Sequence, residues 1–340
     1  MRGGSWNRYA LFGWAAVYGA FGLVSALSGT ALFYRAAEPL PVGLNWVVVA
    51  IAVLAAVAAS AASQPWGRRV VLGLSVLSGV AAFGLLMDVI TLVFNQTVDS
   101  WTATANRSLA AVGVVLLIAV ARSYRSAAHG GCPRCGDVHT SATEWSRPEP
   151  TAAPRRIRLL AYTGAVSFLP YAAMKTVWAL GGTIAGISGA EMLATAERNG
   201  ASGVWLTLER WGIDATALLA VLGVVLLFGL TRPWGLAVRG RRVPRWLPLT
   251  PALIGAATLA PYGVVGVVYA GLASAGVVTV PRGDFPTPED ALLVTWFGLG
   301  PFAVYGVALG AAAWSYLRRT QRVCVPRRIG WAPTSTRMTW

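Results

Sequence analysis

Eight runs of apolar residues, each close to the length that crosses a bilayer, constrain this chain more than any other feature. They fall at roughly 9–33, 44–63, 70–94, 108–122, 158–183, 211–231, 247–275 and 291–317. A window of about 20 apolar residues spans the hydrocarbon layer as a helix, and no strand of that length would. The expected fold is therefore all-α and polytopic, with eight transmembrane helices. Charged residues make up 12% of the chain, about half the usual share of a soluble domain, which agrees with the membrane class. The first run is too long for a signal-peptide core, so a cleavable leader is not expected.

The arginines set an orientation. With the N-terminus inside, Arg2 and Arg8, Arg68 and Arg69, the seven from Arg122 to Arg158, the five from Arg232 to Arg245 and the six from Arg318 to Arg337 are cytoplasmic. The opposite face keeps Arg35, Arg107, Arg198, Arg210 and Arg282. Basic loops stay inside, so both termini are expected in the cytoplasm, in a cytoplasmic (inner) membrane. The same distribution accounts for the net charge of +15 without nucleic acid, since no basic cluster is interleaved with base-stacking aromatics.

Internal similarity divides the chain. Tyr18 to Thr30 aligns without gaps on Tyr171 to Thr183; Gln64-Pro-Trp-Gly67 matches Arg232-Pro-Trp-Gly235; and Ala121-Arg-Ser-Tyr124 matches Ala313-Trp-Ser-Tyr316. The three matches keep their order and their place in each half. Two tandem four-helix repeats are expected, related by a pseudo-two-fold along the membrane normal, because an even helix count inserts both halves the same way up. The domains are then 1–122, the first repeat; 123–156, a polar cytoplasmic linker; 157–317, the second repeat; and 318–340, a basic cytoplasmic tail.

Lys175, the only lysine, stands about 18 residues into the fifth run, about 27 Å from its start at 1.5 Å per residue. Tyr171, Lys175 and Trp178 are spaced i, i+4, i+7 and share a helix face. Asp88 lies at a similar depth in the third run and Asp214 begins the sixth, with Glu209 and Arg210 just before it. Either aspartate is a partner for the lysine, since isolated charges are costly in a membrane. The alternative is that Lys175 snorkels to the outer headgroups. In the first half Gly22 stands at the position of Lys175, and Ser25 at that of Trp178. Prolines inside helices (Pro170, Pro261, Pro301) also concentrate in the second half, two of them in Pro-Tyr pairs with Tyr171 and Tyr262. A polar solute site is expected there, built from Lys175, Asp88, Asp214, Tyr171, Trp178 and Tyr262, between helices three, five, six and seven. Small-residue spacings such as Gly19-Ala-Phe-Gly22 and Gly182-Thr-Ile-Ala-Gly186 read as close helix packing.

The linker carries His129-Gly-Gly-Cys-Pro-Arg-Cys-Gly-Asp-Val-His139, a zinc-knuckle-like window. Cys132, Cys135, His129 and His139 supply four N/S ligands for a structural zinc, and a partner chain or Cys324 is a further donor. A redox pair and a metal-free loop are the alternatives. No histidine falls in an apolar run, which argues against bis-His haem and di-iron sites.

Tyr171 followed by Trp178-Ala-Leu-Gly-Gly182 resembles a motif in multi-pass membrane proteins of high-GC actinobacteria. The resemblance covers the first and fifth helices and implies no activity. Three functions are expected to compete: a small-solute transporter or exporter; a non-catalytic assembly, immunity or regulatory partner, homo-oligomeric or engaging another protein through the 123–156 loop; and a membrane enzyme acting on a lipid or isoprenoid.

Overall fold

In the computed structural model, residues 2–35, 38–61, 64–95, 97–98, 100–128, 143–146, 148–198, 203–238, 241–321 and 323–326 are described. The chain is mostly helical, and its strands are short ribbons of two to four residues. The first half contains α1 (Arg2–Leu27), β1 (Tyr34–Arg35) paired with β2 (Glu38–Pro39), α2 (Asn45–Ser60), α3 (Pro65–Ala81), α4 (Leu85–Asn95) and α5 (Trp101–Ala128). After β3 (Thr143–Ser146) come α6 (Arg155–Ala179), β4 (Thr183–Ile184) paired with β5 (Ile187–Ser188), α7 (Gly189–Arg198), α8 (Val204–Arg210) and α9 (Ala215–Thr231). The small ribbon of β6 (Ala237–Val238) and β7 (Arg241–Arg242), then α10 (Trp246–Ser274), α11 (Pro288–Arg319) and β8 (Val323–Pro326) complete it.

Among the described residues, six helices are long and apolar enough to cross a membrane: Trp6–Leu27, Val42–Ser60, Trp66–Leu92, Trp101–Ser123, Trp246–Ser274 and Pro288–Arg319. The protein is an integral, multi-pass membrane protein on this ground. The fifth and sixth expected runs fall outside this set for different reasons. The α6 helix has 25 residues, with Pro170 inside it, but Tyr162, Tyr171 and Lys175 dilute its apolar character. The α9 helix is apolar but has 17 residues, about 26 Å at 1.5 Å each, slightly short of a bilayer core. Large apolar side chains face outward along these helices, which suits lipid rather than water. Exposed tryptophans sit near helix ends, Trp6 at 74% and Trp246 at 64% among them, where an amphipathic ring prefers the headgroup level.

The third run is one apolar stretch in sequence but two helices in space. The helix is interrupted between Ala81 and Leu85, at Gly84, whose φ of +95° favours glycine.

Buried apolar side chains form one cluster drawn from Leu11 to Ala121 and another from Ala161 to Tyr316. Around the first cluster, α1 packs on α2 and α5, and α3 packs on α2 and α5. Around the second, α6 packs on α9 and α11, α10 packs on α9 and α11, and α9 also packs on α11, more closely than α2 approaches α5. Small residues set the closest approaches. A β-carbon on Gly263 would stand 2.1 Å from the backbone nitrogen of Ala303, and one on Gly306 2.4 Å from that of Ala260. The backbones of α10 and α11 therefore touch, as glycine permits in membrane packing. Across the halves, the rings of Phe83 and Tyr262 lie 6.0 Å apart.

The linker end and the tail meet. β3 pairs antiparallel with β8, with Thr143 opposite Pro326 and Trp145 opposite Cys324.

Candidate functional site

The site lies where α6 ends and α9 begins. Asp214 is the N-cap of α9, its Oδ1 accepting from the Ala217 backbone N–H at 2.9 Å and from the Thr216 hydroxyl at 2.5 Å. Aspartate here satisfies an orphan amide and places negative charge at a positive helix end. The other oxygen, Oδ2, faces Lys175 Nζ at 3.5 Å, with the two side chains 9% and 23% exposed. Tyr171 extends the network by donating from its hydroxyl to Thr216 Oγ1 at 2.9 Å. Threonine and lysine thus meet one carboxylate, and tyrosine is linked to it through Thr216. The Lys175 ammonium also stands 5.9 Å from the Trp178 ring centroid, within cation–π range.

Trp178 is buried and anchors the roof, donating from Nε1 to the Ile187 carbonyl at 3.1 Å. The β4–β5 hairpin turns through Ala185 and Gly186, both at positive φ (54° and 71°). Two such residues make the tight turn that matches strand twist. Ser188 then caps α7. Its backbone N–H and hydroxyl donate to Glu191 Oε2 at 2.8 and 2.7 Å, and the Glu191 N–H returns to Ser188 Oγ at 3.3 Å. This reciprocal box fixes the start of α7.

Between α6, α7, α8 and Asp214 lies an open cleft of about 310 Å³, lined by Lys175, Trp178, Met192, Leu193, Glu209 and Arg210 among others. Volumes of this order suit a small organic ligand. Arg210 pairs with Glu197 at 2.8 Å, both exposed. Burial, then the Asp214 carboxylate, raises the Glu209 carboxyl above its ordinary range, while Lys175 pulls it down. Among the described residues, α7 and α8 have no α-helical counterpart between α1 and α2, where a three-residue 3-10 turn, Val42–Leu44, stands.

Of the expected residues, Lys175, Asp214, Tyr171 and Trp178 come together. Asp88 does not join them: its Oδ1 pairs with Arg107 of α5. The carboxylate is taken up within the first half instead. A β-carbon on Gly84 would lie 3.3 Å from Arg107 Nε, so the missing side chain at Gly84 leaves room for the guanidinium that holds Asp88. Tyr262 lies apart from the lysine. Its ring neighbours Phe83 and Phe302, and Phe302 in turn neighbours Tyr171 at 5.7 Å. His129, Cys132, Cys135 and His139 lie outside the described residues. No group of three or more metal-ligating side chains occurs among the described residues.

Sequence reasoning missed Arg107 as the partner of Asp88, Thr216 as the link to Tyr171, and α7 as a roof. The Ser188-x-x-Glu191 box was a readable signal for the last. No family model, no curated protein and no solved structure matches this chain.

Proposed function

We propose that this membrane protein is a small-solute transporter or exporter whose binding site is the cleft at Lys175 and Asp214. The observation that carries the reading is the Lys175–Asp214 pair at 3.5 Å on the wall of a cleft. A charge in an apolar bundle is costly, and it is kept most readily where it meets a partner and a polar cavity. The reading takes α1, α2, α3–α4 and α5 as one repeat and α6, α9, α10 and α11 as the other. The helix packings common to both halves and the hairpin after each first helix support it. The arginine distribution supports cytoplasmic termini, which opens the cleft outward. A reporter fused after Trp340 tests that orientation, and an extracytoplasmic reading would overturn it.

Native mass spectrometry of wild type beside Lys175→Met tests the site. A small molecule or lipid that co-purifies with wild type and is lost from the variant is the expected result. Identical spectra would reduce Lys175 to a snorkelling anchor and overturn the assignment.

A second reading has one observation in its favour. The pairing of β3 with β8 ties the linker to the tail, which would suit a folded cytoplasmic module acting as an assembly, immunity or regulatory element. In that reading His129, Cys132, Cys135 and His139 hold a structural zinc. Metal content near one equivalent, lost in the variant with Cys132→Ser and Cys135→Ser, would support it; metal well below one equivalent would remove it.

A further inference from the structure

The ligand class of the cleft follows from which of its charges are already engaged; this deepens the solute-site reading and rests on it. Asp214 already carries three contacts: a backbone amide and a hydroxyl hold Oδ1, and Lys175 faces Oδ2 at 3.5 Å. Its negative charge is thereby offset by the Lys175 ammonium before any ligand arrives. Lys175 has three N–H donors, and among the described residues its one ion partner is a carboxylate oxygen at 3.5 Å. Arg210 has five donors and directs Nη2 at Glu197, leaving others for the cleft. The remaining acid is Glu209.

The charged groups acting on Glu209 are Asp214 from the start of α9 and Lys175 from α6; Arg210, next to it in sequence, is turned to Glu197. The α7 charges are engaged nearby: Glu197 with Arg210, Glu191 with Ser188, and Arg198 with Thr195 at 2.7 Å. With Glu209 ionised, Lys175 and Arg210 are outnumbered by Asp214, Glu209 and the Glu197 that pairs with Arg210. With Glu209 neutral, the two cations and the two remaining carboxylates balance, and the repulsion of an entering anion is relieved.

We propose that the cleft binds a small monoanion with an apolar body, a carboxylate or a singly ionised phosphate ester, as Glu209 takes up a proton from solvent. The anionic group meets Lys175 and Arg210, and the apolar body lies along Trp178, Met192 and Leu193. The raised carboxyl of Glu209 agrees with this exchange. The same chemistry comes from a free solute or from a lipid headgroup.

The test uses the full chain in phosphatidylcholine nanodiscs, titrated calorimetrically with hexanesulfonate, a monoanion at both pH values, and with hexylammonium at pH 5 and pH 8. Hexanesulfonate is expected to bind, about tenfold more tightly at pH 5, the scale of one nearby charge. Lys175→Met is expected to lose at least about tenfold and Lys175→Arg to retain most affinity. Glu209→Gln is expected to bind at pH 8 as wild type does at pH 5, and it guards against misreading a misfolded lysine variant. Competition by phosphatidic acid in the disc assigns the headgroup as the source; its failure to compete assigns a free solute. Preference for hexylammonium, or a pH dependence that survives Glu209→Gln, would overturn the anion inference yet leave the cleft as a binding site. Absence of anion binding while native mass spectrometry still finds a Lys175-dependent ligand would overturn the inference alone. Failure of both measurements would overturn the site as well.

Discussion

Gly189 sits against the carbonyl of Trp178 so closely that a β-carbon would stand 1.9 Å from that oxygen. The first residue of the roof helix α7 therefore rests on the last turn of α6, directly beside the lysine-bearing face. Only glycine fits there without moving one of the two helices.

Gly189→Ala should lift α7 off α6 while leaving the bundle cores untouched. Overpacking of this kind costs about 1–3 kcal/mol. Hydrogen–deuterium exchange is expected to quicken in 189–198 and to stay unchanged in α10 and α11. Uniform quickening would show that the contact supports the whole bundle instead.

Asp214 has two separable roles, as cap and as counter-ion. Asparagine caps nearly as well as aspartate, so Asp214→Asn removes the charge and keeps the cap, whereas Asp214→Ala removes both. The alanine variant should be less stable than the asparagine variant by about 1 kcal/mol. Adding Lys175→Met to Asp214→Asn should recover much of the loss, because no unpaired charge remains. A thermal-melt cycle in detergent with strictly additive effects would argue against the pairing.

Glu209 and Glu191 should respond to pH with opposite signs. Glu209 is raised in the fold, so its contribution is present below the unfolded value of about 4.3 and is lost as pH rises through the folded value. Glu191, held down by the backbone N–H and then the hydroxyl of Ser188, contributes above the unfolded value and loses it as pH falls. Melting temperatures between pH 3 and pH 8 should show Glu209→Gln gaining on wild type as pH rises. Glu191→Gln should fall behind over the same interval.

Ala185 is, among the described residues, the one non-glycine residue at positive φ. The left-handed region costs an L-residue about 1–2 kcal/mol relative to glycine. Ala185→Gly, or Ala185→Asn as tight hairpin turns prefer, should raise the melting temperature. A lowered melting temperature would mean that the Ala185 methyl is needed for packing.

The membrane character and most of the helices were legible because apolar length is a property of sequence alone. The fifth and sixth runs were harder, since the residues that build the site, Tyr171 and Lys175, are those that dilute α6. Lys175 and Asp214 were readable as candidates from cost: a charge in an apolar run needs a partner. Choosing between Asp214 and Asp88 required the contact of Asp88 with Arg107, 19 residues on and in another helix, and the sequence does not announce such a pair. The roof was hidden for a different reason. Gly189–Arg198 is short, small-sided and part polar, so it gives no spanning signal, and only its capping box marks it.

The pairing of Trp145 with Cys324 has a consequence for the order of events during synthesis. β3 precedes the second bundle in the chain, and β8 follows every one of its helices. The linker strand therefore emerges long before its partner and waits while α6 through α11 are made and inserted. Contacts this distant in sequence form late. The ribbon closes the second half like a clasp, and it can fasten only after the membrane part is in place.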